Sequence, residues 1–472
     1  MSHLPPRELQ WWLRAVRAVG LAALCFATPL AAEPLPDLDL GIQQVPVLPE
    51  TGGAIITADN LSAWRPLIVP ELLPLVRSGA VSIEAHRKLA YQWRIDDGWE
   101  KRSIESARRF TATNVAAGLP KDFRPERALP FGGEQELAFL EEQADLPWRI
   151  LWNSQAVLWS QVGWDLEFDL GWYRRGRDPV RVRGHHHRLY PGLMTEGGSR
   201  QLFRERIEYT LPEGIAGLAW LTFRFFGDEE DSLWLYSPAI RKVRQLTGSN
   251  RSDSMLRSGV SPDDLLLWSG KVELVEPRLD KIVEAFVPFP ELNVTGALET
   301  KSGCFAVQPE EYVDLLPAKR GSQMARAAEA EAQLWLSGRF VFVPRTMWRL
   351  ELAAKDPYSL YGRQVLYVDR ASMLPVYKFV YDRSGHLWKT VIGSFGLAAT
   401  SNQALRFPWP STVVIVNHRE EETSIVTTVR AGVCDGTGPA FAADRFNPHA
   451  IAPAAVTPTP QPKARRRPAP QR

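Results

Sequence analysis

The sequence predicts an α+β chain organised round one large antiparallel sheet that curls on itself. Helix-like patterns gather before residue 164, and strand-like patterns follow one another after it. Residues 364–393 hold three β-branched and aromatic runs, Gln364–Arg370, Leu374–Tyr381 and His386–Gly393, divided by short polar breaks, which is the pattern of strands joined by hairpins. No Gly/Ser linker interrupts the body of about 415 residues, and an open sheet of about ten strands has to curl. These strands are apolar on both faces, so the sheet needs two covers. One can be a core and the other a greasy ligand.

Residues 1–32 read as a secretory leader. Arg7, Arg14 and Arg17 precede an apolar stretch, Val19–Leu30, that is too short to span a bilayer, and Ala31-Ala32 offers a cleavage point before Glu33. Cys25 follows Leu24, where a lipidation signal wants a small residue. The other end, residues 449–472, is a Pro- and Ala-rich basic tail that cannot bury a core and is expected to be disordered. Its cluster Lys463, Arg465, Arg466 and Arg467 suits anionic lipid or an acidic patch, unless it is simply solvated. Residues 33–448 are expected to form one domain. The leader carries +2 and the tail +5, so the chain's +2 leaves −5 on the body. An acidic body argues against a nucleic-acid partner.

Along the body, residues 60–79 read as one or two short helices. Residues 134–163 read as helical, with Pro147 breaking the run in two. From Trp164 the period changes. Asp165–Leu170 alternates strictly and Phe203–Tyr209 more loosely. Further strands are expected over 218–226, 232–237, 240–246, 271–276, 341–352, 365–392, 412–418 and 423–429. Ser261-Pro262-Asp263-Asp264 is a helix start, with a Ser cap, Pro in the first turn and acids against the dipole, so a short helix is expected to Trp268. Residues 323–337, rich in Ala and Glu, read as a helix or an excursion. Asp382-Arg383-Ser384-Gly385 is a turn that needs Gly for positive φ.

The body retains two cysteines, Cys304 and Cys434. In an oxidising compartment they are expected to pair, the alternative being two buried thiols. Closing so long a loop is worth roughly 4–5 kcal/mol by chain entropy. No catalytic motif stands out: there is no Gly-x-Ser-x-Gly, His-Glu-x-x-His, phosphate loop or dinucleotide fingerprint. No enzymatic activity, cofactor or metal is therefore expected. His185-His186-His187, flanked by Arg181, Arg183 and Arg188, reads as a solvated basic loop, because adjacent strand residues point to opposite faces and no carboxylate cluster is near in sequence.

The chain has 17 Trp, and aromatic side chains with one polar handle suit acyl chains, steroids or sugar rings. The aromatics expected to line a cavity are Trp220, Phe223, Phe225, Trp234, Tyr236, Trp348, Tyr367, Tyr377, Phe379 and Trp388. Arg244 and Arg251 could bind a lipid phosphate or carboxylate at its mouth. The competing reading makes Arg251, Asp253 and Asp263 structural ion pairs.

Several strings carry a resemblance. Leu233–Pro238 followed by Arg241–Gln245, then Arg251-x-Asp253, Ser261–Leu265 and Trp268-Ser269-Gly270, form one block. Tyr367-Val368-Asp369, Leu374-Pro375 and Tyr381-Asp382-Arg383-x-Gly385-x-Leu387-Trp388-Lys389 form a second, and Ala54–Leu75 and Pro120–Phe123 add to them. Over about residues 55–435 the chain resembles the outer-membrane lipoprotein-sorting-like family of Gram-negative bacteria, a domain-of-unknown-function family. Residues 323–337 and the basic tail depart from its pattern. The resemblance implies a half-barrel like that of the LolA/LolB lipoprotein carriers, with helices covering the concave face and an apolar cavity between. It implies a periplasmic protein, associated or not with the outer membrane, that binds or carries a lipid or other hydrophobic ligand. The implied partners are an inner-membrane efflux-type exporter and an outer-membrane protein. The alternatives are a Trp-rich glycan-binding or glycan-cleaving envelope protein and a structural subunit of an export complex.

Overall fold

A computed structural model of the chain describes residues 45–451, apart from 96, 111–113, 120–127, 160–162, 175–176, 191–200, 228, 301–303, 308–339, 435–440 and 450. The leader, residues 323–337 and nearly all of the basic tail lie outside the described residues.

The sheet runs through thirteen strands in one antiparallel path. It starts at β9 (Val275–Phe289) and passes to β12 (Val341–Ala354), β13 (Arg363–Asp369), β14 (Pro375–Tyr381) and β15 (Leu387–Thr400). It continues through β16 (Arg406–Asn417) and β17 (Glu422–Cys434), then crosses to β3 (Gly163–Arg174) and β4 (Val180–Leu189). The meander β5 (Gln201–Leu211), β6 (Ala219–Phe225), β7 (Ser232–Ser237) and β8 (Lys242–Leu246) ends it. Strand β10 (Thr295–Glu299) pairs with the end of β15, and β11 (Phe305–Val307) with the end of β17. Because β10 and β11 also pair with each other, β15, β16, β17, β11 and β10 close a ring. The disulfide Cys304–Cys434 fastens the start of β11 to the end of β17 there. The curled antiparallel sheet with helices on its concave side is the fold class read from the sequence.

Alternation decides which face each residue takes. In β3, Leu166 and Leu170 point to the inner face. Asp165 and Asp169 point outward to Arg430 and Arg183 at 2.7–2.8 Å. Gly396 is required where Trp409 crosses β15, because a Cβ there would collide with the indole.

Both faces are covered by protein. The inner face carries α3 (Asp97–Arg109), α4 (Glu134–Ala138), α5 (Leu146–Ala156) and the segment 253–274. The outer face of β9 and β12–β16 is covered by residues 48–89, including α1 (Leu61–Trp64) and α2 (Leu73–Arg77), with Trp64 against Phe286 at 6.1 Å between ring centroids. Strand β2 (Ile83–Ala85) pairs with β1 (Ala54–Ile56) and with the start of β12. A third, smaller core on the outer face of β4–β7 gathers Leu189, Leu221, Tyr236, the disulfide, Phe441, Phe446 and Ile451.

Four local expectations are corrected. His185–His187 lie within β4, not in a loop, because both neighbouring strands pair with them. Pro147 sits in the first turn of α5, where its missing N–H costs nothing, so it starts that helix instead of breaking one. Residues 262–264 form a single 3₁₀ turn, and no helix reaches Trp268 because Leu266 and Leu267 take left-handed backbone. The strand expected at 271–276 starts later and runs on to Phe289, with Val272–Leu274 a 3₁₀ turn before it.

Candidate ligand site beneath a leucine plug

The inner face holds a cavity of about 60 Å³. Leu166, Phe168 and Leu170 of β3, Ile207 and Tyr209 of β5, and Val413, Ile415 and Val426 of β16 and β17 give it apolar walls. Met255, Val260, Leu265 and Leu266 roof it, and His186 and Asp264 supply its polar contacts. Pockets that take small ligands measure roughly 300–1,000 Å³. A ligand of that size therefore enters only if the roof moves.

The roof is an irregular segment. Leu256 and Arg257 have φ of 55° and 60°, and Leu266 and Leu267 have 53° and 72°. Left-handed backbone in a non-glycine residue costs roughly 1–2 kcal/mol each. The conformation persists because the leucines seat in the sheet: a Cβ on Gly393 would lie 2.5 Å from Leu267 Cδ1. Leu267 is fully buried, while Leu265 and Leu266 are half-buried.

Buried charge fastens this plug at three points. Asp264 accepts from Lys378 Nζ at 2.5 Å, Lys389 Nζ at 2.8 Å, Ser261 Oγ at 2.8 Å and Tyr361 OH at 2.9 Å. Burial alone would raise its pKa, but the two ammonium groups outweigh burial and hold it well below the usual carboxylate range. Asp231 contacts Arg224 at 2.7 Å and Arg251 at 3.2 Å, and Arg251 reaches Asp263 at 3.5 Å. Arg224 also donates to the carbonyls of Ser269 and Gly270. Glu205 binds Arg188 and His186, and Arg188 donates to Ser269 Oγ at 3.1 Å. Arg251 Nε, Asp231 Oδ1 and Asp263 Oδ1 are buried in ionic contact yet make no hydrogen bond, so this fastening is incompletely satisfied.

A second hollow of about 490 Å³ lies between α3, α4 and the β13–β14 turn. It is larger, but it is an open surface trough whose rim carries Arg94, Glu100, Glu134 and Glu136. The apolar cavity is the better site for a greasy group.

The ten aromatics singled out in the sequence do not gather round either hollow. Trp348 is in the inner core, against which Trp220 packs. Tyr367, Tyr377 and Phe379 pack in the outer core under residues 48–89. Phe223, Trp234 and Tyr236 belong to the small outer core, with Phe223 and Trp234 5.0 Å apart. Phe225 is half-buried on β6, and Trp388 stacks edge-on against Tyr361 at 5.5 Å. Arg244 is exposed on β8, whereas Arg251 is buried in the ion network and not at a mouth. Arg251–Asp263 is thus the structural pair, and Asp253 instead accepts from Asn250 Nδ2. The residues that do wall the cavity, Leu166, Phe168, Leu170, Ile207 and Tyr209, are the apolar half of the two alternating strands already visible in the sequence.

The family model for a protein of unknown function, DUF1329, matches residues 185–452, more than half of the chain. The chain belongs to the DUF1329 family. Similar solved structures include a putative outer membrane lipoprotein-sorting protein domain from Vibrio parahaemolyticus, 16% identical, with a TM-score of 0.43 over 64% of this chain and 96% of that one. A DUF1329 family protein from Desulfovibrio piger is 16% identical, with a TM-score of 0.41 over 67% and 97%. A LolA superfamily protein from Nitrosomonas europaea is 14% identical, with a TM-score of 0.38 over 64% and 97%. No match was found among the curated proteins.

Proposed function

We propose that this DUF1329 protein binds a lipid or other hydrophobic ligand on the inner face of its half-barrel, with residues 253–268 as the lid. The observation that carries this reading is a plug whose Leu265 and Leu266 roof an apolar cavity, whose Leu267 packs on Gly393, and which buried charge fastens. Apolar burial is worth roughly 25 cal/mol per Å², so an acyl group that replaces Leu265–Leu267 offsets much of the cost of lifting them. In this reading the chain is a carrier with no catalytic step. The leader expected from the sequence and the disulfide suit a periplasmic site of action, and the family resemblance suggests service to an exporter and an outer-membrane partner.

Mass spectrometry of an organic extract of the periplasmic protein tests the reading first, and a stoichiometric lipid or hydrophobic metabolite is the expected result. Titration with a fluorescent fatty acid then locates the site. Val426→Asp, in the cavity wall, should abolish binding, while Ile104→Asp, in the surface trough, should leave it unchanged. Binding that survives Val426→Asp and fails in Ile104→Asp moves the site to the trough. No extracted ligand and no titratable binding would overturn the carrier reading.

A further inference from the structure

The outer face of β3 and β4 holds a second constellation, separate from the plug. His185 and His187 are two residues apart on β4 and so share the outer face, their rings stacked at 5.8 Å between centroids. Asp165 lies directly opposite His187 on β3, with His187 Nε2 3.2 Å from Asp165 Oδ1. One ligand atom from each of the three residues falls within 4.8 Å of the others. We propose that Asp165, His185 and His187 bind a divalent transition-metal ion of the zinc class.

Two imidazoles and one carboxylate form a donor set of borderline softness that suits Zn²⁺ and its neighbours and disfavours Ca²⁺ or Mg²⁺, which take oxygen shells. Two further observations point to a ligand. His187 is 3% exposed, yet its Nδ1 has no hydrogen-bond partner among the described residues. Asp165 Oδ1, the oxygen turned toward His187, also lacks a well-aligned hydrogen bond. A buried carboxylate oxygen without a hydrogen-bond partner is costly, and a cation held by Asp165 Oδ1 removes that cost.

The surroundings are built to hold the triad. Arg430 donates to Asp165 Oδ2 at 2.8 Å and leaves Oδ1 for the ion. Phe441 meets His187 edge-on at 6.3 Å. Arg206 donates to the carbonyls of Arg445 and Ile451, strapping the chain's later residues over this face. Three protein ligands leave a coordination position for water or for a group of another molecule.

The test uses the full, oxidised protein, stripped with chelator and titrated with Co²⁺ as a spectroscopic probe. The expected result is a single ion per chain, with the intense visible absorption of four-coordinate cobalt, displaced by Zn²⁺. His185→Ala leaves the Asp165–His187 and Asp165–Arg430 contacts intact, and it should weaken binding by more than about 100-fold. His185→Gln serves if that variant misfolds, with circular dichroism as the check on folding. No stoichiometric Co²⁺ binding, or binding unchanged in a folded His185 variant, would overturn the site and leave an ordinary buried ion pair.

Discussion

The two covers of the sheet are made of different chemistry. Residues 48–89 lie on the outer face mainly through apolar side chains such as Ile56, Leu61, Trp64, Leu72 and Val76, all 7% exposed or less, with Glu71 bound to Arg349 and Tyr367 as a polar tie. Residues 253–268 lie on the inner face with four left-handed residues, four leucines and a ring of buried ions. The first cover makes a permanent core. The second holds strain and incompletely bonded charge over a small cavity, and buried ion pairs of that kind add little net stability while fixing one geometry. The contrast separates the half that is scaffold from the half that the carrier reading requires to open.

Breaking the inner fastening should give the largest effect. Asp264→Ala leaves Lys378 and Lys389 buried without their counter-ion, and denaturant unfolding should show a loss of about 3–5 kcal/mol. The matched change on the other cover, Trp64→Ala, should cost about 3–5 kcal/mol as a cavity while leaving fatty-acid affinity unchanged. Equal changes in affinity from both variants would erase the distinction between the covers. Gly393→Ala pushes a methyl group into Leu267 and should cost about 1–3 kcal/mol, with increased uptake of an apolar dye.

Acid should act more gently, through the depressed carboxylates that fasten the inner cover. Asp264 and Glu205 are buried, which would raise their pKa values, but their cationic partners hold both well below normal. A depressed folded pKa gives stability that is complete above the unfolded value and fades as pH falls through and below roughly 4. Asp263, raised by burial, has the opposite sign and offsets part of the loss. Dye uptake should therefore be flat between pH 7 and 5 and rise below about 4, while the outer cover keeps its protection.

Much of the sheet was legible because alternation is a local signal. Leu166, Phe168 and Leu170 could be placed on one face from the sequence, and Gly385, at φ 83°, sits in the turn its motif requires. The plug was not legible as a plug. Ser261-Pro262-Asp263-Asp264 carries real helix-start chemistry, but Asp264 turns to two lysines more than a hundred residues away, and the helix stops after one turn. The aromatic strands misled for a related reason. Tyr367, Tyr377 and Phe379 looked like the walls of a cavity because the sequence could not show that residues 48–89 fold back to cover them. His185 and His187 were hidden in the same way, since their carboxylate neighbour arrives from β3, twenty residues earlier.

Hydrogen exchange on the two covers, with and without lauric acid, tests the account most directly. The account expects residues 253–268 to open at lower free energy than residues 61–77, and only the former to change protection when the fatty acid is added. Equal opening energies with no response to the fatty acid in either segment would contradict it.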